Sequence, residues 1–587
     1  MVVRVRFSLS VHKVNLFTIM KKLENLYGKK QKSVKDMNIF EKEMFKKEVQ
    51  TTSGNGSVKY KTTGNIFLDD FAQLANYREL REMDDIFYTT QKLCNVDPVI
   101  ALRLTVYLRL ITRAPFFQDK TLGVHRGQGL KHEYIGRLYF FALNYPKMFK
   151  RNLDIFVAAG SWNDLFELLR TDLYYRGAHR FTRRLFTTVI QYIVDNFQNE
   201  NQVDLIKKYL PKINPSSKCT TPRKQANSII GKLIAVWDKR GDIDKKKAYA
   251  NYRSFKASGK AHTWEQKISQ QKYNEIDFSL IAGRALSKLV KSKFLENHDL
   301  VNAYYQWLEK QPVAKFTGYP YELFKGLYND LKYSVYYQEP TRLKSYQIST
   351  LNKQFKSLIE TAKKDMNTET SFIVCVDTSG SMKAPAIGTD VRSIEVAISM
   401  ALYFSELLKG DFANTFLEFA EETVIRTWNG DTPFEKWRNT PLSGECGNTN
   451  FLSIASLFVD LKRKGYNESE FPTGVICVSD GEFDEAPSNK SNFEEFLEIL
   501  RRGGFSDKFV DNFKLVLWDI PNVYYDGKNV RPKFESIADR PNFYYMTGFD
   551  PAGIAFLTGT KYSPSIPKTA EDLFKAALNQ ELIKKIR

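Results

Sequence analysis

Eleven residues constrain this chain more than any others: Phe372 to Met382, FIVCVDTSGSM. Phe372, Ile373, Val374, Cys375 and Val376 form an unbroken apolar run that stops at Asp377, and Thr378, Ser379, Gly380 and Ser381 follow. An apolar run without alternation suits a strand covered on both faces, as in a parallel sheet. The polar cluster then lies just past the strand's carboxyl end, where open α/β sheets bind ligands. Asp377, Ser379 and Ser381 alternate, so an extended turn brings their oxygens toward one place. One carboxylate and two hydroxyls are hard donors, suited to Mg²⁺, or to Mn²⁺ or Ca²⁺, rather than to zinc or copper.

This Asp-x-Ser-x-Ser pattern resembles the metal-ion-dependent adhesion site of von Willebrand factor type A domains. Two later segments extend the resemblance. Gly447, Asn448, Thr449 and Asn450 form a polar turn before a helical stretch, and Thr449 matches the threonine of the second loop in such domains. Val475 to Val478 read as another buried strand ending in Ser479, Asp480, Gly481 and Glu482, and Asp480 matches the third-loop aspartate. The resemblance implies that Asp377, Ser379, Ser381, Thr449 and Asp480 surround one divalent cation. A position is left for water or for a carboxylate from a partner protein.

Other chemistries fit less well. An aspartic protease needs Asp-Thr/Ser-Gly twice, and here Ser379 intervenes. An aspartyl-nucleophile phosphatase needs Asp-x-Asp, and position 379 is serine. The serines lack the Gly-x-Ser-x-Gly setting of a nucleophile elbow. A metal-dependent hydrolase lacks a nearby histidine, since all six lie before Leu300. The plain alternative, one Asp and two Ser capping a helix, leaves the two later loops unexplained. The expectation is therefore a protein that is not an enzyme.

The 587 residues suggest two to four domains. Charge is divided unevenly: residues 371–560 carry a net −10, residues 1–370 a net +27 and residues 561–587 a net +3, for a total of +20. A strongly basic region attracts polyanions. No apolar run reaches the ~18 residues of a membrane span, and the basic start has no sustained apolar core, so neither a membrane nor a secretory signal is expected. The cysteines, Cys94, Cys219, Cys375, Cys446 and Cys477, are scattered, odd in number and without metal-type spacing. This suits a reducing, cytoplasmic setting.

Four segments follow. Residues 1–65 are a basic extension whose Thr51–Asn65 stretch reads as a mobile linker. Residues 66–370 show apolar spacing of three and four, as in a succession of amphipathic helices stacked as a solenoid. Residues 371–560 alternate strands and helices, an α/β domain expected to fold on its own when cut near Asn367. Residues 561–587 end in an amphipathic helix that packs back on the helical region. In that region a Gly-rich basic loop, Arg126-Gly-Gln-Gly-Leu-Lys-His-Glu133, precedes Gly160-Ser-Trp-Asn-Asp-Leu165. With a type A domain following, this resembles TROVE-domain proteins, the family of the Ro autoantigen. The resemblance implies a multidomain protein: an all-α, HEAT-like, ring-forming domain and a doubly wound, Rossmann-like type A domain. It further implies binding of single-stranded or structured non-coding RNA in a ribonucleoprotein. Lys120, His125, Arg126, Lys131, His132, Arg137, Arg180, Arg183 and Arg184 have the required character. A protein-interaction scaffold using the metal but no RNA is the alternative.

Overall fold

The structure, a computed structural model, describes residues 39–587 apart from 53–55, 57, 75, 79, 111–125, 176–181, 214–220, 239–243, 260–262, 328–341, 365–370, 408–411, 441, 443–446, 489, 523–533, 535–539 and 559–566. It opens with a helix, Ile39–Val49, and an antiparallel pair, β1 (Gln50–Thr52) and β2 (Val58–Tyr60). The linker expected over Thr51–Asn65 is thus structured where it is described. Tyr60 exchanges two backbone hydrogen bonds with Phe534, both 2.8 Å, and the Thr63 amide donates to the Asp69 carboxylate at 2.8 Å. Glycine and threonine content signals a turn, but it carries no information about a pairing partner so far along the chain.

Helices then succeed one another to residue 363, with few strands, as the spacing predicts. Sequence punctuation marks several starts. Asn65 caps Ile66–Ala72 by accepting from the Phe67 and Leu68 amides. Asp97 caps Pro98–Arg109 in the same way, and Pro98 occupies the first turn, where a missing N–H costs nothing. Residues 146–159 form two helices, Pro146–Arg151 and Leu153–Ala159. They meet at buried Asn152, whose amide reaches both the Met148 carbonyl and the carbonyl of Arg587 at the far end of the chain. Helices Lys245–Ala257 and Thr263–Ser269 continue the succession, and the long helix Ser345–Lys363 ends it. Trp162 is a core anchor, stacked on Tyr192 and donating to Gln202 at 2.9 Å.

The carboxyl part is one six-stranded sheet: β3 (Phe372–Asp377), β4 (Thr415–Phe419), β5 (Thr423–Thr427), β6 (Gly474–Ser479), β7 (Lys514–Asp519) and β8 (Phe543–Thr547). The spatial order is β5-β4-β3-β6-β7-β8, parallel throughout except for the β4–β5 pair. Every residue of β3 and of β6 is buried. Ile373, Cys375, Val475 and Cys477 face a cluster with Phe451, Phe493 and Phe496. Val374, Val376, Ile476 and Val478 face the other way, into a cluster that runs on through the helical region. That double coverage is why these strands read as unbroken apolar runs. From β3 the chain goes to β4 on one side and later to β6 on the other, so the order reverses between β3 and β6.

Both ends of the helical region rest on the sheet domain. Helix Pro320–Phe324 and helix Ser345–Lys363 pack on helix Ser393–Leu407, and Phe324 stacks on Trp437 at 4.4 Å. At the other end Ile66–Ala72 packs against β8 and against helix Ala570–Leu578. Phe574 of the latter helix meets Phe67 and Phe71. Among the described residues no helix is long and apolar enough to cross a membrane.

Candidate metal centre

The crevice at the carboxyl ends of β3 and β6 gathers the expected residues. Asp377 ends β3 fully buried. Its Oδ1 accepts the Ser379 amide at 2.9 Å, which turns the chain back, and its Oδ2 accepts the Ser479 hydroxyl at 2.5 Å. The Ser379 and Ser381 hydroxyls stand 3.2 Å apart, and the Ser381 side chain hydrogen-bonds Asp480. Asp480 follows β6, accepts from Asn522 at 2.5 Å and from the Glu482 amide at 3.3 Å. Thr449 is buried on a loop laced to both neighbours. Its carbonyl accepts the Asp484 amide at 2.9 Å, and the adjacent Asn450 amide donates to Ala420 at 2.8 Å. Four of the five residues are therefore joined by side-chain contacts, and the fifth is tied in through backbone.

Electrostatically the crevice is short of positive charge. Burial, and then the charge of Asp480, push the Asp377 carboxyl up to about 7. Burial likewise raises Asp480. Asp519, at the end of β7, is pushed up to about 8 by burial and then by Asp480. Buried carboxylates without a counter-charge either protonate or take a cation. Two carboxylates with two serine hydroxyls and a threonine are oxygen donors that fit a hard divalent ion. Among the described residues no group of three or more His, Cys, Asp or Glu side chains could hold a metal. This crevice escapes that description because three of its five candidate donors are hydroxyls.

Sequence reasoning missed three contributors. Ser479 was visible, since it sits beside Asp480 at a strand end. Asn522 lies three residues past β7, the next parallel strand end along the same crevice, and donates to the Ser381 carbonyl at 3.0 Å as well as to Asp480. Lys59, whose ammonium donates to the Gly481 carbonyl beside Asp480 at 2.6 Å, comes from the amino-terminal hairpin and carries no local signal.

The residues proposed for RNA fare differently. Lys120, His125 and Arg180 lie outside the described residues, as does the side chain of Arg183. Arg137 is fully buried and Arg126 is 2 % exposed, so neither guanidinium faces solvent. Arg137 instead grips Asp70 through two bonds of 2.7 and 2.9 Å and Glu133 at 2.9 Å. Lys131 pairs loosely with Asp164 and Glu167, and His132 contacts the Arg81 carbonyl at 3.0 Å. Arg184 is exposed.

Both helical motifs have a packing explanation. A side chain at Gly127 would collide with the Tyr107 carbonyl, and one at Gly160 with the Asp164 carboxylate that Arg109 holds at 2.8 Å. The Gly-rich loop is a junction: Arg126 exchanges hydrogen bonds with Gln580, and Gln128 donates to the Thr547 carbonyl at 3.0 Å.

No curated protein matches the chain. A family model described as a domain of unknown function (DUF7788) matches residues 370–569, the stretch that holds the whole sheet and all five candidate ligands.

Proposed function

We propose that this protein docks partners through a divalent cation held by Asp377, Ser379, Ser381, Thr449 and Asp480, without catalysing a reaction. The sheet domain is read as type A-like on the metal-site resemblance. The observation that carries the proposal is the pair of buried, uncompensated carboxylates linked through serine hydroxyls at the point where strand order reverses. The cation supplies a Lewis-acidic position for an acidic group of a partner. A catalytic role needs a positioned acid or base as well, and the crevice residues assigned here are spoken for as ligands and their supports.

The test is Mg²⁺ binding by calorimetry together with thermal stability. A ligand that binds the native state stabilises it by about 2.7 kcal/mol at 100 times Kd. Wild type is expected to melt higher with Mg²⁺, and Asp377→Ala to lose that increment entirely. Equal Mg²⁺ affinity in both would overturn the site.

A second reading, single-stranded or non-coding RNA on the basic helical region, is favoured by the +27 charge of residues 1–370. Of the resemblance to TROVE proteins, this reading keeps the ring-forming, HEAT-like helical domain and shifts the contact. The surface to test is Lys245, Lys246 and Lys247, exposed together at the start of their helix, rather than the buried Arg126 and Arg137. RNA affinity is expected to fall with salt, and replacing the three lysines with glutamate should lower the log–log salt slope by about 2, at ~0.7 per phosphate contact. RNA binding that is absent at low ionic strength leaves the docking reading alone.

A further inference from the structure

The amino-terminal hairpin reaches the candidate metal centre, and it does so with a lysine. Lys59, in β2, is 1 % exposed. Lysine is almost never buried without compensation, and here the compensation comes from the turn after β6. The Lys59 ammonium donates to the Gly481 carbonyl at 2.6 Å and sits 4.7 Å from the centre of the Phe483 ring. Those two groups flank Glu482, two residues past Asp480. Gly481 has φ +75°, in the left-handed region that favours glycine.

The hairpin is itself fastened on either side of Lys59. Gly56 bridges to Asp484, on the same turn, and Tyr60 pairs with Phe534. The lysine is therefore delivered by backbone pairing, not by a free side chain finding a surface. Its charge also falls where the crevice needs it. Asp519 lies opposite Ser479 in the β6–β7 register, and the Lys59 ammonium opposes the upward push that burial and Asp480 exert on the Asp519 carboxyl.

We propose that Lys59 is a positioning residue of the cation site: its buried ammonium clamps the turn Asp480–Phe483 through the Gly481 carbonyl and so holds Asp480 in place to bind. This inference rests on the cation-site reading above. It makes the hairpin of residues 50–60, far outside the matched domain, part of the site. Two effects of the charge compete. A cation near the crevice repels Mg²⁺, so its removal by electrostatics alone would tighten binding. Loss of a group that orients a ligand costs about 10–100-fold in metal affinity, and the clamp is the larger effect because the ammonium touches the ligand-bearing turn itself.

The experiment is Mg²⁺ calorimetry on the full chain as wild type, Lys59→Met, Lys59→Gln and Lys59→Arg, with melting temperatures measured without metal. Lys59→Met is expected to weaken Mg²⁺ about 10–100-fold. Lys59→Gln, whose amide falls one bond short of the carbonyl, should weaken it similarly and serves if the methionine variant does not fold. Lys59→Arg should restore affinity to within a few-fold. A purely structural lysine would lower the metal-free melting temperature and leave Mg²⁺ affinity unchanged; that result, or tighter binding in the neutral variants, overturns the inference while the site stands. A wild-type chain with no saturable Mg²⁺ binding overturns both.

Discussion

Arg137→Met is expected to destabilise the fold by about 3–5 kcal/mol, the usual cost of removing one partner from a buried ion pair. Arg137 sits on helix Lys131–Asn144 and crosses to helix Ile66–Ala72, where Asp70 accepts two hydrogen bonds from it. Burial works against the guanidinium's charge, but Asp70 and Glu133 together hold it well above its ordinary value. Without the arginine, Asp70 keeps only the Tyr77 hydroxyl at 2.7 Å among the side-chain donors named around it. Glu133 keeps Arg81 at 3.1 Å. Asp70 is thus the group left with an uncompensated charge, which predicts that adding Asp70→Leu to Arg137→Met recovers much of the loss. Urea unfolding followed by tryptophan fluorescence measures both. A midpoint unchanged in Arg137→Met would show that the triad contributes little, and the double variant being worse than the single would show that Asp70 matters for another reason.

A fragment of residues 368–587 is expected to aggregate or to melt far below the full chain. The sequence reading treats it as a self-sufficient α/β domain. The structure does not divide the core there. Phe574 would lose Phe67 and Phe71, Trp437 would lose Phe324, and Phe549 would lose Tyr321. Helix Ser393–Leu407, buried along nearly its whole length, would lose its cover from Pro320–Phe324 and Ser345–Lys363. Aromatic side chains bury about 150–250 Å² each, and soluble monomers rarely expose contiguous apolar patches above a few hundred Å². The loss of Lys59 would also unclamp the turn that carries Asp480. Size-exclusion chromatography and a thermal melt decide the matter: a monodisperse, cooperatively melting fragment would show that the sheet domain stands alone.

Local patterns in the sequence were enough to place the sheet. The runs Phe372–Val376 and Val475–Val478 are apolar because both of their faces are covered, and such coverage leaves its mark on every residue of a strand. The candidate ligand residues at the strand ends were legible for the same reason: a strand that ends abruptly in Asp-x-Ser-x-Ser, and another in Ser-Asp-Gly, sets polar groups at strand ends whatever the rest of the chain does. The separation of basic helical residues from an acidic sheet domain is also a property of the sequence alone.

What tertiary structure decided is everything that depends on partners distant in the chain. Arg126 and Arg137 look like phosphate contacts in a basic stretch, and only the approach of Asp70 and of Gln580 turns that stretch inward. Gly127 and Gly160 read as loop glycines, but they are glycines because a backbone carbonyl and a carboxylate lie where a side chain would stand. Lys59 reads as one charge in a linker; the pairing of its neighbours Tyr60 with Phe534 and Gly56 with Asp484, more than four hundred residues away, carries its ammonium to the Gly481 carbonyl beside the candidate metal centre. Periodicity and spacing record which face of an element is buried. They do not record what buries it, and for a charged residue that is the difference between a surface contact and a structural one.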